Sequence, residues 1–174
     1  MAEATYEEYP LWMVVSSLFV QLAIYVLGAY IVLQVGAALL VIYLACVLVL
    51  EYRVLRRSCV DCFYYGKSCC FGKGRLCALL FGKGNPEKFP KKEISWTDIL
   101  PGFLIALVPI AVGIILLVFR FSLLLLAAVA ALALLAFPGT GFIRGRWACR
   151  YCRQRVAGCP AERLFNRQKG DNPG

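Results

Sequence analysis

The sequence predicts an all-α polytopic membrane protein: four transmembrane helices form two tandem-repeated hairpins, with cysteine-rich segments on the cytoplasmic side. Three observations lead to this fold class: two long apolar blocks, an uneven distribution of lysine and arginine, and a cysteine pattern that occurs twice. Hydrophobic residues make up 61% of the 174 residues and charged residues 17%, whereas soluble domains have about 45–50% and about 25%. The excess of apolar residues favours a lipid environment.

The apolar residues are concentrated in two blocks. Residues 11–50 contain no charged side chain, and residues 99–137 contain one, Arg120. As a single helix with a rise of about 1.5 Å per residue, each block would be about 60 Å long, twice the thickness of a bilayer's hydrocarbon core. We therefore expect each block to form a hairpin of two spans, at about 11–52 and about 99–137.

The turns of these hairpins are expected at the middle of each block. Gln34 and Gly36 are the polar and helix-breaking pair of the first block, and Arg120 and Ser122 interrupt the second. An arginine at the bilayer centre costs at least about 2.5 kcal/mol on insertion scales. Arg120 is therefore expected at a hairpin tip, at the far interface.

The distribution of positive charge predicts the orientation. Of the nineteen lysines and arginines, ten lie in residues 51–98 and eight in residues 138–174. By the positive-inside rule the N-terminus, the central loop and the C-terminus are cytoplasmic, and the protein is a multi-pass protein of the cell membrane. Topology accounts for the net charge of +9, so no nucleic acid is expected. The expected partners are the lipid bilayer, anionic headgroups on the cytoplasmic side, and a protein docked on the basic cytoplasmic face.

The two halves of the chain resemble each other, which predicts a first repeat at 1–98 and a second at 99–174. Each opens on an acidic, aromatic stretch that contains a proline, "TYEEYPLW" or "SWTDILPGF", and each hairpin ends on a basic junction, "EYRVLRRSC" or "GFIRGRWAC". Because each repeat contains two spans, both copies have the same orientation, related by an axis along the membrane normal. The two cysteine segments are then expected together on one side.

The cysteines follow the same spacing in both halves, "CVDCFYYGKSC" and "CRYCRQRVAGC". Cys46 lies in the second span and is expected to be a small packing residue. The other eight are expected in the cytoplasm, where disulfides are uncommon and cysteine pairs more often bind metal or carry out redox chemistry. These eight are Cys59, Cys62, Cys69, Cys70, Cys77, Cys149, Cys152 and Cys159.

Two Cys-x-x-Cys motifs can supply the four thiolates of a closed, tetrahedral zinc site. The predicted ligands are Cys59, Cys62, Cys149 and Cys152. A second set of thiols offers further ligands: Cys69, Cys159, Cys70 and Cys77. An iron–sulfur cluster is the alternative cofactor, although the usual run of closely spaced cysteines is lacking. Thiol–disulfide redox chemistry coupled to a quinone is a further alternative.

The stretch "FGKGRLCALLFGKG" has two interpretations. It resembles a phosphate-binding loop but lacks the Ser or Thr that should follow Lys83. We expect Leu76–Phe81 either to lie in the headgroup plane, with Lys73, Arg75 and Lys83 on phosphates, or to belong to a solvated basic loop.

The sequence favours a binding role over an enzyme. Without histidine no Ser-His-Asp or Cys-His arrangement exists, and the carboxylates show no pairing for acid–base work. The spans carry no ionisable group away from their ends, which disfavours a small-solute or metal transporter. We therefore predict a membrane-anchored interaction or scaffold module, in which a structural zinc site joins the two repeats.

Overall fold

The computed structural model describes residues 5–90, 96–156 and 159. Within these ranges the chain consists of helices and turns, and its one extended contact is an isolated parallel β-bridge between Tyr6 and Cys152. The prediction of an all-α protein is confirmed for this part of the chain.

The first hairpin consists of helix α1, Leu11–Leu33, and helix α2, Ala37–Val54. Its turn occupies residues 34–36, as predicted from the polar residue and the glycine there. The second helix does not end near residue 52, because it continues through a π-helical turn, Leu55–Cys59, into the first cysteine motif. The helical part of this hairpin is therefore about two turns longer than expected.

A short segment separates the hairpins and contains helix α3, Lys73–Leu80, and a 3₁₀ turn, Pro86–Lys88. Gly72, in the left-handed region at φ 67°, starts α3. A side chain there would be strained and would also lie 3.0 Å from Leu18 of α1. The glycine therefore lets the loop run directly against the first transmembrane helix.

The second hairpin consists of helix α4, Trp96–Phe119, and helix α5, Leu123–Leu134, with its turn at residues 120–122 as predicted. Helix α4 crosses the expected boundary between the repeats at residues 98 and 99, so the exact limits of the repeats stay a prediction. Beyond α5 the helical path continues to Ala148 through two π-helical segments on either side of the short helix α6: Leu135–Gly139, Thr140–Phe142 and Ile143–Ala148. The last helix is α7, Arg153–Val156.

Four helices are long and apolar enough to cross a membrane: Leu11–Leu33, Ala37–Cys59, Leu100–Phe119 and Leu123–Ala148. Their mean hydropathy is 2.0 to 2.9, yet only 17–22% of each apolar window is buried inside the protein. Outward-facing side chains such as Leu48 and Val118 are 70% and 79% exposed. In water this apolar surface would cost about 25 cal/mol per Å². The helices therefore fit an integral membrane protein with four spans.

Helix α1 lies at the centre of the bundle and packs against α2, α4 and α5. Ile31 of α1 is fully buried among Leu125, Val129 and Leu132 of α5. On another face of α1, Val32 packs with Tyr43 and Val47 of α2 and with Ile105 of α4. The two hairpins thus share one apolar core.

Glycines bring the helices close together at two places in this core. A Cβ atom on Gly28 would lie 2.2 Å from the Tyr43 hydroxyl oxygen, and one on Gly113 would lie 2.4 Å from a Val129 methyl carbon. Small residues at such positions let backbones approach, which is a main source of packing between membrane helices.

Gly113→Ala should lower the free energy of unfolding by about 1–3 kcal/mol, because the new methyl group overpacks the contact with Val129. Gly102→Ala, in the same helix but facing open space, should be neutral or stabilising by up to about 1 kcal/mol from helix propensity. Reversible denaturation in detergent micelles measures both. Equal effects of the two substitutions would show that α4 and α5 are not in close contact at Gly113.

Candidate functional site

The two Cys-x-x-Cys motifs adopt the same backbone turn. In the first, Cys62 N–H donates to the Cys59 carbonyl over 3.3 Å, and in the second, Cys152 N–H donates to the Cys149 carbonyl over 3.4 Å. A π-helical segment directly precedes the turn in both halves. The shared spacing in the sequence thus produces a shared local conformation.

The two cysteine segments lie at the same end of the bundle and pack into one cluster. We call this region the cysteine cap; it comprises residues 5–9, 59–81 and 149–156. Tyr9, Tyr64 and Cys70 are buried at its centre. Half-buried thiols from both halves pack against these residues: Cys62, Cys69 and Cys152. The cap therefore brings together residues that are about ninety positions apart in the chain.

The N-terminal segment lies between the two cysteine segments and bonds to both. Tyr6 N–H donates to the Tyr151 carbonyl over 3.1 Å, and Tyr9 N–H donates to the Ser68 carbonyl over 2.9 Å. The Tyr9 hydroxyl also donates to the Ala148 carbonyl over 2.6 Å. Residues 5–9, which carry the acidic and aromatic motif, are thus the physical link between the two halves.

Tyr64 completes this link with a single hydroxyl. Its oxygen accepts the Arg153 N–H at 3.0 Å while it donates to the Tyr6 carbonyl at 2.6 Å. Next to it, Phe63 N–H donates to the side-chain carbonyl of Gln154 over 2.8 Å. Burial raises the pKa of Tyr64 and of Tyr9 above the usual value of 10, so both hydroxyls stay protonated at neutral pH. We call Tyr6, Tyr9 and Tyr64 the tyrosine clamp.

The thiols differ in exposure. Cys70 and Cys77 are buried, Cys149 is exposed, and the rest of the eight are half-buried. Cys46, which was expected to pack in the protein interior, is instead exposed on the outer surface of α2, so that expectation was wrong. No disulfide joins any of the nine cysteines, all of which lie within the described ranges.

The predicted zinc ligands form a chain of electrostatic neighbours. Cys62 interacts with Cys59 and, across the cap, with Cys152, and Cys152 interacts with Cys149. Cys69 and Cys159 also lie within electrostatic range of Cys62. The cap thus contains all four predicted ligands and Cys69, and Cys159 lies beyond its last residue but near Cys62.

The thiols are nevertheless not arranged as a ligand set. Among the residues that the structure describes, no group of three or more cysteine, aspartate or glutamate side chains is placed to hold a metal ion. Burial raises the pKa of Cys62 to about 11, and neighbouring cysteines add to the effect. Burial also raises the pKa of Cys152. These thiols are therefore protonated at neutral pH and must lose their protons to bind a metal. The zinc site stays a prediction.

A polar network that the sequence did not reveal lies at the base of the cap. The Glu51 carboxylate accepts hydrogen bonds from Gln21 at 2.8 Å and from the Tyr25 hydroxyl at 2.5 Å. It also pairs with the Lys73 ammonium at 2.8 Å, and the two side chains are only 25% and 16% exposed. Lys73 thereby ties α3 to α1 and α2.

Our expectation that the spans carry no ionisable group away from their ends is wrong in this respect. Because α2 continues to residue 59, Glu51 lies inside the second span and not at its end, and Lys73 faces this carboxylate rather than a phosphate. A signal was present in the sequence, since Gln21 and Tyr25 lie four residues apart on one face of an apolar helix.

No family model matches this chain, and neither the curated proteins nor the solved structures contain a match. The functional interpretation therefore depends on the residues and their geometry alone.

Lys73→Met should destabilise the protein by about 3 kcal/mol, because it leaves the Glu51 carboxylate without its cation in a poorly solvated place. Adding Glu51→Gln to Lys73→Met should restore most of the loss, since the remaining amide keeps partners in Gln21 and Tyr25. Lys83→Met, at an exposed lysine of the same loop, is the matched control and should change little. Thermal denaturation in lipid nanodiscs measures all three; an equal loss in the single and double variants would contradict the pairing.

Proposed function

We propose that this protein is a membrane-anchored scaffold whose cysteine cap holds a structural zinc ion between its two halves. The proposed ligands are Cys59, Cys62, Cys149 and Cys152, and the further ligands are Cys69, Cys70, Cys77 and Cys159. The observation that carries the proposal is the packing of Cys62 and Cys152, from opposite halves of the chain, in one buried cluster.

The tyrosine clamp joins the segments that carry the two Cys-x-x-Cys motifs. We propose that side-chain rotation and shifts of the two turns bring the sulfur atoms around one ion. Zinc accepts four thiolates at about 2.3 Å, and structural sites of this kind supply folding free energy. A four-thiolate site has a net charge of about −2, which the neighbouring Arg150 and Arg153 would offset.

The protonated state of the thiols favours zinc over redox chemistry. Thiol–disulfide exchange needs a thiolate as the attacking group, and reactive cysteines have a lowered pKa, whereas burial raises the pKa of Cys62, Cys70 and Cys152. A metal ion overcomes this barrier because it displaces the proton directly. An iron–sulfur cluster would use the same thiols and is distinguished by its iron content and colour.

The scaffold role follows from the surface around the cap. Basic side chains line its outer edge, and several stack on aromatic rings: Lys67 and Arg153 on Phe63, Arg144 on Phe71, and Arg150 on Tyr151. We propose that this face is cytoplasmic, as the charge count predicts, and that it docks anionic headgroups and an acidic surface of a protein partner. Transport has weaker support, because the Glu51 carboxylate is already saturated by three partners.

Metal analysis of protein purified without air tests the proposal. We expect about one zinc per chain, no visible absorption, and at least a tenfold lower zinc content in Cys62→Ser and in Cys152→Ser. Cys46→Ser, at the exposed thiol on α2, is the control and should keep its zinc.

Three outcomes would contradict the proposal. Iron with a brown colour would indicate an iron–sulfur cluster, and a metal-free protein with reversible thiol–disulfide titration would indicate a redox protein. Loss of zinc in Cys46→Ser as well would show that the metal is not held by the cap.

A further inference from the structure

The height of α3 relative to the bilayer can be worked out from the first hairpin. Its turn at residues 34–36 is taken to lie at the far boundary of the hydrocarbon core. Glu51 is fourteen residues from the start of α2 at Ala37, which places it about 21 Å from the turn at 1.5 Å per residue. Leu18, which lies against Gly72, is fifteen residues from the end of α1, or about 22 Å. Both helices place the start of α3 at the same height.

That height is inside the hydrocarbon core, which is about 30 Å thick. The same count puts Arg56 and Arg57 about 29–30 Å from the turn, at the boundary where lipid phosphates begin. In the second hairpin Arg144 is twenty-one residues beyond Leu123, which is at most about 31 Å because π-helical segments interrupt the α-helical rise. Arg56, Arg57 and Arg144 therefore mark one near boundary, and the start of α3 lies about 8 Å below it. Arg53 is exposed on α2 at about 24 Å from the turn, so its long side chain must extend toward that boundary.

Helix α3 carries two cations, Lys73 and Arg75. Arg75 is exposed and lies four residues before Leu79, so its long side chain must extend from the lipid-facing side of α3 to the phosphates.

The apolar face of α3 fits a position inside the hydrocarbon core. Leu76, Leu79 and Leu80 are 46%, 83% and 60% exposed and lie three and four residues apart, on one face. Gly74 and Cys77 are buried on the other face, where the Cys77 thiol donates to the Leu55 carbonyl. Lys73, at the start of α3, is neutralised by Glu51. A lone ammonium at this depth would be costly, and pairing is the usual way to place one there.

The exposed leucines are continuous with the lipid-facing surface of α2. Phe81, directly after α3, packs edge-on against Tyr52 of α2, with 5.4 Å between the ring centroids. Tyr52 is 49% exposed, and Leu48, one turn deeper, is 70% exposed. Lipid chains that cover the outer face of α2 must therefore also cover α3.

We propose that α3 is a lipid-embedded helix, packed beside α2 within the near leaflet, whose leucine face contacts the acyl chains of phospholipids. Their phosphates lie at the height of Arg56, Arg57 and Arg144. This inference goes beyond the expected position in the headgroup plane and does not depend on the zinc site. Because lipid covers the leucine face of α3, Cys77 on the opposite face is shielded from water on that side.

Photocrosslinking in nanodiscs of phosphatidylcholine and phosphatidylglycerol tests the proposal. The photoreactive residue p-benzoylphenylalanine replaces Leu79, whose exposure leaves room for it. Irradiation should attach one phospholipid through an acyl chain, as judged by mass spectrometry of the protein. The same residue at Leu48 is the positive control and should give the same adduct. At Glu87, an exposed residue of the 3₁₀ turn, it should give none.

Two results would overturn the proposal. One is a lipid adduct at position 48 with none at position 79. The other is an adduct at position 79 that joins a headgroup or a second protein chain instead of an acyl chain.

Discussion

The Tyr64 hydroxyl is the interaction on which the arrangement of the cysteine cap most depends. It lies between the N-terminal segment and the second cysteine segment and bonds to the backbone of both. Tyr64 is only 3% exposed, and loss of its hydroxyl would remove the hydrogen bonds to the half-buried Tyr6 carbonyl and to the Arg153 N–H, at about 1 kcal/mol each. This clamp brings the two Cys-x-x-Cys turns together, and it would do so before any metal ion binds.

Different contacts hold the helices and the cap. The apolar outer faces of the four helices fit a lipid environment, and the shared core around α1 joins the two hairpins. The Glu51–Lys73 pair then anchors the first cysteine segment to the helices, and the tyrosine clamp joins the second segment to the first. A metal ion held by the cap would add to an arrangement that is already determined by hydrogen bonds and apolar packing.

Much of the fold could be predicted because lipid imposes simple rules. Span number follows from the lengths of the apolar blocks, and both hairpin turns lie at polar residues near the middle of the blocks. The helix ends were less predictable, since helices α2 and α5 continue through π-helical segments into residues that are polar enough to resemble loops. Glu51 was therefore placed at the end of a span, although it lies within one.

The repeated cysteine spacing predicted that the two cysteine segments lie together, and Cys62 and Cys152 do pack in one cluster. Which thiols bind a metal stays a prediction, and the clamp was not predicted. The partners of Tyr6, Tyr9 and Tyr64 are backbone groups far away in the chain. Every residue has such groups, so the sequence does not indicate which of them a tyrosine contacts. Tyr9 itself is buried at the centre of the cap.

Chemical crosslinking of the native thiols tests the convergence of the two halves most directly. After treatment of membranes with a chelator and dibromobimane, trypsin releases residues 58–67 and residues 151–153 as separate peptides. We expect a bimane bridge between them, through Cys62 and Cys152, at a yield that falls in Tyr64→Phe. The yield should stay unchanged in Tyr65→Phe, because the Tyr65 hydroxyl donates to the Phe81 carbonyl within the same segment. Bridges confined to residues 58–77 or to residues 149–159 would contradict the cap.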